Sequence, residues 1–272
     1  MSSKDGGKRI CVIGAGRWGR NHLRTLHGLG ALGGFVDSHA ETLAELGATY
    51  PEALTFDNVD AALASTHDGG FDGFVVATPA ETHHRIATRI LECGKPLLVE
   101  KPLALTAVQA RELESLAARR GVPLMVGHVL LFHPAIRKIA DLVHGGKIGK
   151  LQYLYSNRLN LGTVRTEENI LWSFAPHDLS IFQALVKDRP LEIISRGGAF
   201  VQPHIHDTTM TILTYPDNVV GHIFVSWLHP YKEHRLVLIG SKRSTAVPGW
   251  AMGLCSVPLG TMYRSPFSRW TE

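Results

Sequence analysis

The sequence predicts an α/β protein in two parts: a doubly wound parallel sheet, then an α/β domain on an open, mostly antiparallel sheet. Three observations predict it. Short apolar runs at 9–13, 31–36, 72–77, 96–100 and 123–127 alternate with segments of helical spacing, the pattern of parallel strands joined by right-handed crossovers. The first run leads straight into Gly14-Ala-Gly16-Arg-Trp-Gly19. After about residue 150 the runs lengthen and take period two, as half-covered antiparallel strands do.

In the first run, strand 9–13 feeds a glycine turn and then a helix, the context that gives a GxGxxG motif its meaning. Gly14 permits the tight turn, Gly16 lets a ligand approach the backbone, and Gly19 lets the helix pack on the strand. The helix start offers N–H groups to a pyrophosphate. Run 31–36 ends in Asp37. An acid about 20 residues past the glycines accepts hydrogen bonds from a ribose and repels a 2'-phosphate, which favours NAD. A helix N-cap is the alternative reading of Asp37.

Run 72–77 stops at Thr78-Pro79, and His83 follows on the helix read over 80–93. That stop places a hydroxyl and carbonyls at the crevice, or is a plain turn. Run 96–100 ends in Glu100-Lys101-Pro102. Charges closing an apolar strand are costly unless paired or used; Lys101 suits a substrate hydroxyl, or snorkels to the surface. Helix 105–120 carries Leu105, Val108, Leu113 and Leu116, with Thr106 as its cap. Strand 123–127 completes the first domain, read as 1–127.

The second domain is read as 128–240. Strand 151–158 leads to Asn157, Arg158, Asn160 and Arg165, which suit phosphate or carboxylate recognition or form a solvated strand face. A helix over 177–186 opens on His177-Asp178. His177 fits a general base, with Asp178 to hold the ring or cap the helix; a structural histidine is the alternative. Runs 191–200, 207–215, 219–228 and 232–240 complete the sheet, with Pro216-Asp217-Asn218 as a hairpin turn. His204 and His206 share one strand face without further ligands at metal spacing, so no metal is expected. From Ser241 to residue 272 no strand or helix period is read. This tail exposes Trp250, Met252, Leu254, Phe267 and Trp270, and reads as an arm for a partner or as an end foreign to the rest.

Composition narrows the function. With 272 residues, 44% hydrophobic and 19% charged, the chain is an ordinary globular one. No run suffices for a membrane span, and Met1-Ser-Ser-Lys-Asp-Gly-Gly has no apolar leader core. The net charge of +4 is concentrated in a tail with Lys242, Arg243, Arg264 and Arg269 and, of acids, Glu272 alone, so it is no argument for nucleic acid. Cys11, Cys93 and Cys255 lack zinc spacing, which fits a reducing cytoplasm.

Together, the Gly14–Gly19 turn, Thr78-Pro79 with His83, Glu100-Lys101-Pro102 and His177-Asp178 resemble the Gfo/Idh/MocA oxidoreductases over residues 8–240. The resemblance implies an NAD-binding Rossmann domain followed by an α/β domain on an open sheet. It implies NAD contacts at Gly14, Gly16, Arg17, Trp18, Gly19, Asp37, Thr78, Pro79, His83, Glu100 and Lys101. Lys101 and His177 become the catalytic residues, and Asn157, Arg158, Asn160, Arg165 and Asp178 the substrate residues. Ser156–Leu161 and Asn169–Ser180 are most similar to the branch oxidising nucleotide-linked amino sugars, such as UDP-N-acetylglucosamine or UDP-N-acetylglucosaminuronate 3-dehydrogenases in polysaccharide and lipopolysaccharide biosynthesis. The implied partners are a sugar or UDP-sugar and a second copy of the chain docked on the open sheet face. Two departures stand out: Ser173 replaces an acid common four residues before the histidine, and the family's sheet normally runs past residue 240. A non-catalytic NAD-binding regulator and a truncated, inactive relative are the alternatives.

Overall fold

Six parallel strands form the first sheet: β1 (Ile10–Ile13), β2 (Leu32–Val36), β3 (Leu54–Phe56), β4 (Gly73–Val76), β5 (Leu97–Val99) and β6 (Leu124–Val126). This computed structural model describes residues 7–65, 70–162, 164–166, 168–247 and 249, with 255–258 as backbone. The chain divides into two compact units at Gly127 and His128.

The strand order is β3-β2-β1-β4-β5-β6. The chain winds outward from β1 through β2 to β3, then returns to place β4 on the other side of β1, which makes the β1/β4 boundary the switch point where ligands bind. Helices α1 (Gly19–Gly28), α2 (Ala40–Thr49), α3 (Val59–Ala64), α4 (Ala80–Glu92) and α5 (Ala107–Arg120) make the crossovers. β1 shows why its sequence is continuously apolar. Cys11 and Ile13 pack on one side with Ile86, Ile90 and Leu113, while Val12 packs on the other with Leu23, Phe35 and Leu46. Burial pushes the Cys11 thiol up, away from reactivity. Thr106 caps α5 by accepting the Gln109 N–H, and Gly121 closes it at φ +66°. β3 and α3 were not legible, because a three-residue edge strand offers no periodicity.

The second unit carries β7 (Leu151–Leu161), β8 (Glu192–Gly198), β9 (Thr208–Thr214), β10 (Val220–Ser226), β11 (Leu228–Gly240), β12 (Arg243–Val247) and β13 (Cys255–Pro258) in the order β13-β12-β11-β7-β10-β9-β8. β7 and β10 pair in parallel, and the other strand pairs among the described residues of this sheet are antiparallel. Helices α6 (Pro134–His144) and α7 (Ile170–Val186) cover one face, burying Ile136, Ile139, Ile181, Phe182 and Leu185 against Leu154, Ile223, Leu236 and Leu238. On the opposite face Tyr155 stacks on His222, and Ile194, Met210 and Ile212 are exposed.

Two expectations are corrected here. The helix expected at 177 starts about two turns earlier: Asn169 caps it by accepting the Trp172 N–H, and it runs through Pro176. An internal proline costs about 3 kcal/mol; the burial of Ile170, Ala175, Ile181 and Phe182 on either side offsets that cost. Nor does regular structure stop at 240. Ser241-Lys242 form a tight turn, and β12 pairs with β11 so that Thr245 and Val247 are buried. Polar residues at 241–245 hid that short alternation. Trp250, Met252, Leu254, Phe267 and Trp270 lie outside the described residues. No helix among the described residues is long and apolar enough to cross a membrane.

Candidate functional site

Glycine is required at the first βα turn. Gly14 leaves β1 at φ +90°, where a Cβ would stand 2.8 Å from Thr78 Cγ2 and 2.9 Å from the Ala77 carbonyl oxygen. At Gly19 a Cβ would come 1.9 Å from the Gly14 carbonyl oxygen, so α1 packs directly on the turn. At Gly16 nothing lies within 4 Å of that position, leaving the backbone open to a ligand. These residues fit the pyrophosphate of a dinucleotide.

Asp37 turns its carboxylate back to this loop. Oδ2 accepts the Ala15 N–H at 2.8 Å, and Oδ1 accepts the His39 N–H at 2.9 Å and lies 3.0 Å from His39 Nδ1. Burial opposes its charge, but the hydrogen bonds from His39 and Ala15 prevail and hold the carboxyl below its ordinary value. The α2 cap residue is His39, not Asp37. Gly14, Gly16, Asp37, Thr78 and Pro79 line one cavity of about 810 Å³, together with His39, Asn58, Arg85 and Arg89. The last four escaped sequence reading; the cap Asn58 carried a signal only once α3 was known. Asp37→Ala is expected to weaken NAD binding by about tenfold or more, from lost ribose hydrogen bonds, and to narrow the gap between NAD and NADP. Titration of the purified protein with each dinucleotide checks both; an unchanged preference removes Asp37 from the ribose site.

Arg17, Trp18, Gly19, His83, Glu100 and Lys101, the other residues expected to contact the cofactor, lie outside that lining. His83 is buried, with Nδ1 2.7 Å from the Pro102 carbonyl oxygen and Nε2 2.9 Å from that of Thr78. Glu100 Oε1 lies 2.8 Å from His22 Nε2, and its carboxylate also accepts the Trp18 indole N–H. Burial opposes ionisation of Glu100, but the His22 and Trp18 bonds prevail and keep the carboxyl below its usual value. Lys101 follows at the carboxyl end of β5, with a cis peptide to Pro102.

In the second unit, alternation along β7 sorts the expected substrate residues. Ser156 and Arg158 face α7. Arg158 Nε donates to Asp178 Oδ2 at 2.8 Å and Nη2 to Oδ1 at 3.0 Å, and Ser156 Oγ donates to Oδ1 at 2.5 Å. Arg158 and Asp178 thus form a buried ion pair in the core. Asn157 points to the other face, where Nδ2 donates to Glu233 Oε1 at 2.8 Å. Arg165 is tied to Glu168 at 2.8 Å. Asn160 keeps a buried Oδ1 without a hydrogen-bond partner among the described residues. His177 and Ser173 stand one turn apart on α7, and the His177 carbonyl accepts the Ser180 hydroxyl at 2.7 Å. Removing one member of a buried pair strands the other charge, so Asp178→Ala is expected to lower unfolding stability by about 3–5 kcal/mol. Urea denaturation checks this, and wild-type stability would contradict it.

A family model described as "Oxidoreductase family, NAD-binding Rossmann fold" matches residues 8–128, and one described as "GFO/IDH/MocA C-terminal domain" matches residues 136–246. The UDP-N-acetylglucosamine 3-dehydrogenase of Acidithiobacillus ferrooxidans is 30% identical over 194 residues, 71% of this chain and 59% of that enzyme. Inositol 2-dehydrogenase 2 of Saccharopolyspora erythraea is 28% identical over 219 residues, 78% of this chain and 64% of that enzyme. The chain thus spans less than two thirds of either relative's length. A solved structure of UDP-N-acetylglucosamine 3-dehydrogenase GnnA from Acidithiobacillus ferrooxidans superposes with a TM-score of 0.80 at 27% identity, covering 89% of this chain and 77% of that one.

Proposed function

This chain belongs to the Gfo/Idh/MocA oxidoreductases, and from that premise we propose that it moves a hydride between NAD and a secondary alcohol of a sugar ring. The substrate class we propose is a nucleotide-linked amino sugar, UDP-N-acetylglucosamine or its uronate, oxidised at C3. One observation carries the reading. The motif-bearing ends of β1, β4 and β5 are neighbours in one parallel sheet, so the glycine turn, Thr78-Pro79 and Lys101 share its carboxyl edge. Ligands of such sheets bind beyond that edge.

When bound, the nicotinamide supplies the hydride acceptor. The Gly14–Gly19 turn holds the pyrophosphate, and Asp37 holds the ribose. His177 removes the proton of the substrate hydroxyl. The Lys101 ammonium donates a hydrogen bond to the same oxygen and stabilises its developing negative charge. Alcohol and NAD⁺ thereby give ketone, NADH and a proton. Ser173 stands where many relatives carry an acid, which supports a site of two working groups rather than three. Asn160, whose buried oxygen has no hydrogen-bond partner among the described residues, is a substrate contact from β7. The partner we propose for the face carrying Ile194, Met210 and Ile212 is a second copy of the chain.

The test is to incubate the protein with NAD and, separately, UDP-N-acetylglucosamine, its uronate, myo-inositol and scyllo-inositol, following reduced-cofactor absorbance. A 2-oxo acid in parallel samples recycles cofactor that stays bound. Reduction with a UDP-sugar is the expected result. Reduction with an inositol alone overturns the substrate class, and NAD bound without turnover in any sample overturns the enzymatic reading.

A further inference from the structure

Lys101 has a flexible four-carbon stem, and its usefulness depends on where its backbone is held. Two histidines hold it from opposite sides. His22, in α1, reaches the end of β5, where its Nε2 lies 2.8 Å from Glu100 Oε1. Glu100 Oε2 lies 3.3 Å from the Lys101 amide nitrogen, which donates to it. The carboxylate has little room to move: a Cβ on Gly127 would stand 2.9 Å from Oε2. Beyond the lysine, the Pro102 carbonyl oxygen lies 2.7 Å from His83 Nδ1, and the other ring nitrogen engages the Thr78 carbonyl at 2.9 Å.

The sources of these anchors matter. α1 begins at the glycine turn, and α4, which carries His83, follows Thr78-Pro79. The residues flanking Lys101 are therefore tied to the two strand ends that frame the dinucleotide. Neither histidine lines the cavity that carries Gly14, Gly16 and Asp37.

We propose that His22 and His83 are positioning residues for Lys101: one anchors Glu100, the other Pro102, and together they set the lysine against the bound dinucleotide. The role rests on Lys101 acting on the substrate. A displacement of about 1 Å in a reacting geometry costs on the order of 10²-fold in rate, so loss of either anchor registers in kcat before it registers in binding.

The experiment uses the full chain with His22→Gln, His83→Asn and, as a control, His84→Gln, whose ring bonds Glu112 at the outer side of α4. Amide hydrogen exchange over residues 99–104 is measured in each, along with kcat, KM and NAD Kd, using UDP-N-acetylglucosamine as probe. Each anchor variant is expected to speed exchange in that segment by about tenfold, the loss of one hydrogen bond. Its kcat falls by about 10²-fold while KM and NAD Kd stay within about twofold. His84→Gln leaves both readouts unchanged. Unaltered exchange in both anchor variants overturns the proposal, and so does faster exchange with undiminished kcat. Should His83→Asn fail to fold, His22→Gln decides. Where Lys101→Ala keeps wild-type turnover, or the wild type shows none, the dehydrogenase reading falls, and the exchange measurement still decides whether the histidines hold this segment.

Discussion

Lys101→Ala is expected to lower kcat by about 10²–10³-fold, the usual cost of removing one donor to a developing oxyanion. NAD affinity should hardly change, because the pyrophosphate and ribose contacts proposed for the dinucleotide fall to Gly14, Gly16 and Asp37. Glu100 remains held by His22 and Trp18 in the variant, so the strand end is preserved and the loss reports on the amine. Steady-state kinetics beside an NAD titration separates these effects. Wild-type turnover would remove Lys101 from the chemistry; a matching loss of NAD affinity would make it a cofactor residue.

His177→Ala is expected to cost about 10²–10⁴-fold in kcat, the range for a general base. The limb of the kcat/KM profile that reports the base's titration should vanish with it. α7 should keep its fold, since Phe182, Leu185 and the Asp178–Arg158 pair hold it on the sheet. The pH profile of the variant, with circular dichroism as a folding check, tests the assignment. A retained limb would place the base elsewhere.

Much of the N-terminal unit was legible in the sequence, because its constraints are local. A strand covered on both faces has no polar positions to interrupt it, so β1, β2, β4 and β5 read as unbroken apolar runs. The glycines at 14 and 19 are set by contacts under 3 Å that no side chain survives. What stayed hidden depends on partners far apart in the chain. His22 meets Glu100 across 78 residues, and Arg158 meets Asp178 across 20. A signal existed for the second pair: Ser156 and Arg158 fall on the covered face of β7, where a charge demands a partner. Asp178, beside His177, was read as a catalytic companion because helix phase relative to the sheet is not written locally. β3 and β12 were missed for a plainer reason. Strands of three and five residues at or near a sheet edge carry too little alternation to stand out from loops.

The account stands on Lys101 and His177 acting on one hydroxyl. A double-mutant cycle tests this most directly: kcat for Lys101→Ala, His177→Ala and the double variant on the substrate that the panel identifies. Groups that work as a unit are strongly non-additive, so the double variant should be no slower than the slower single one. Losses that multiply would show two independent roles and contradict the mechanism.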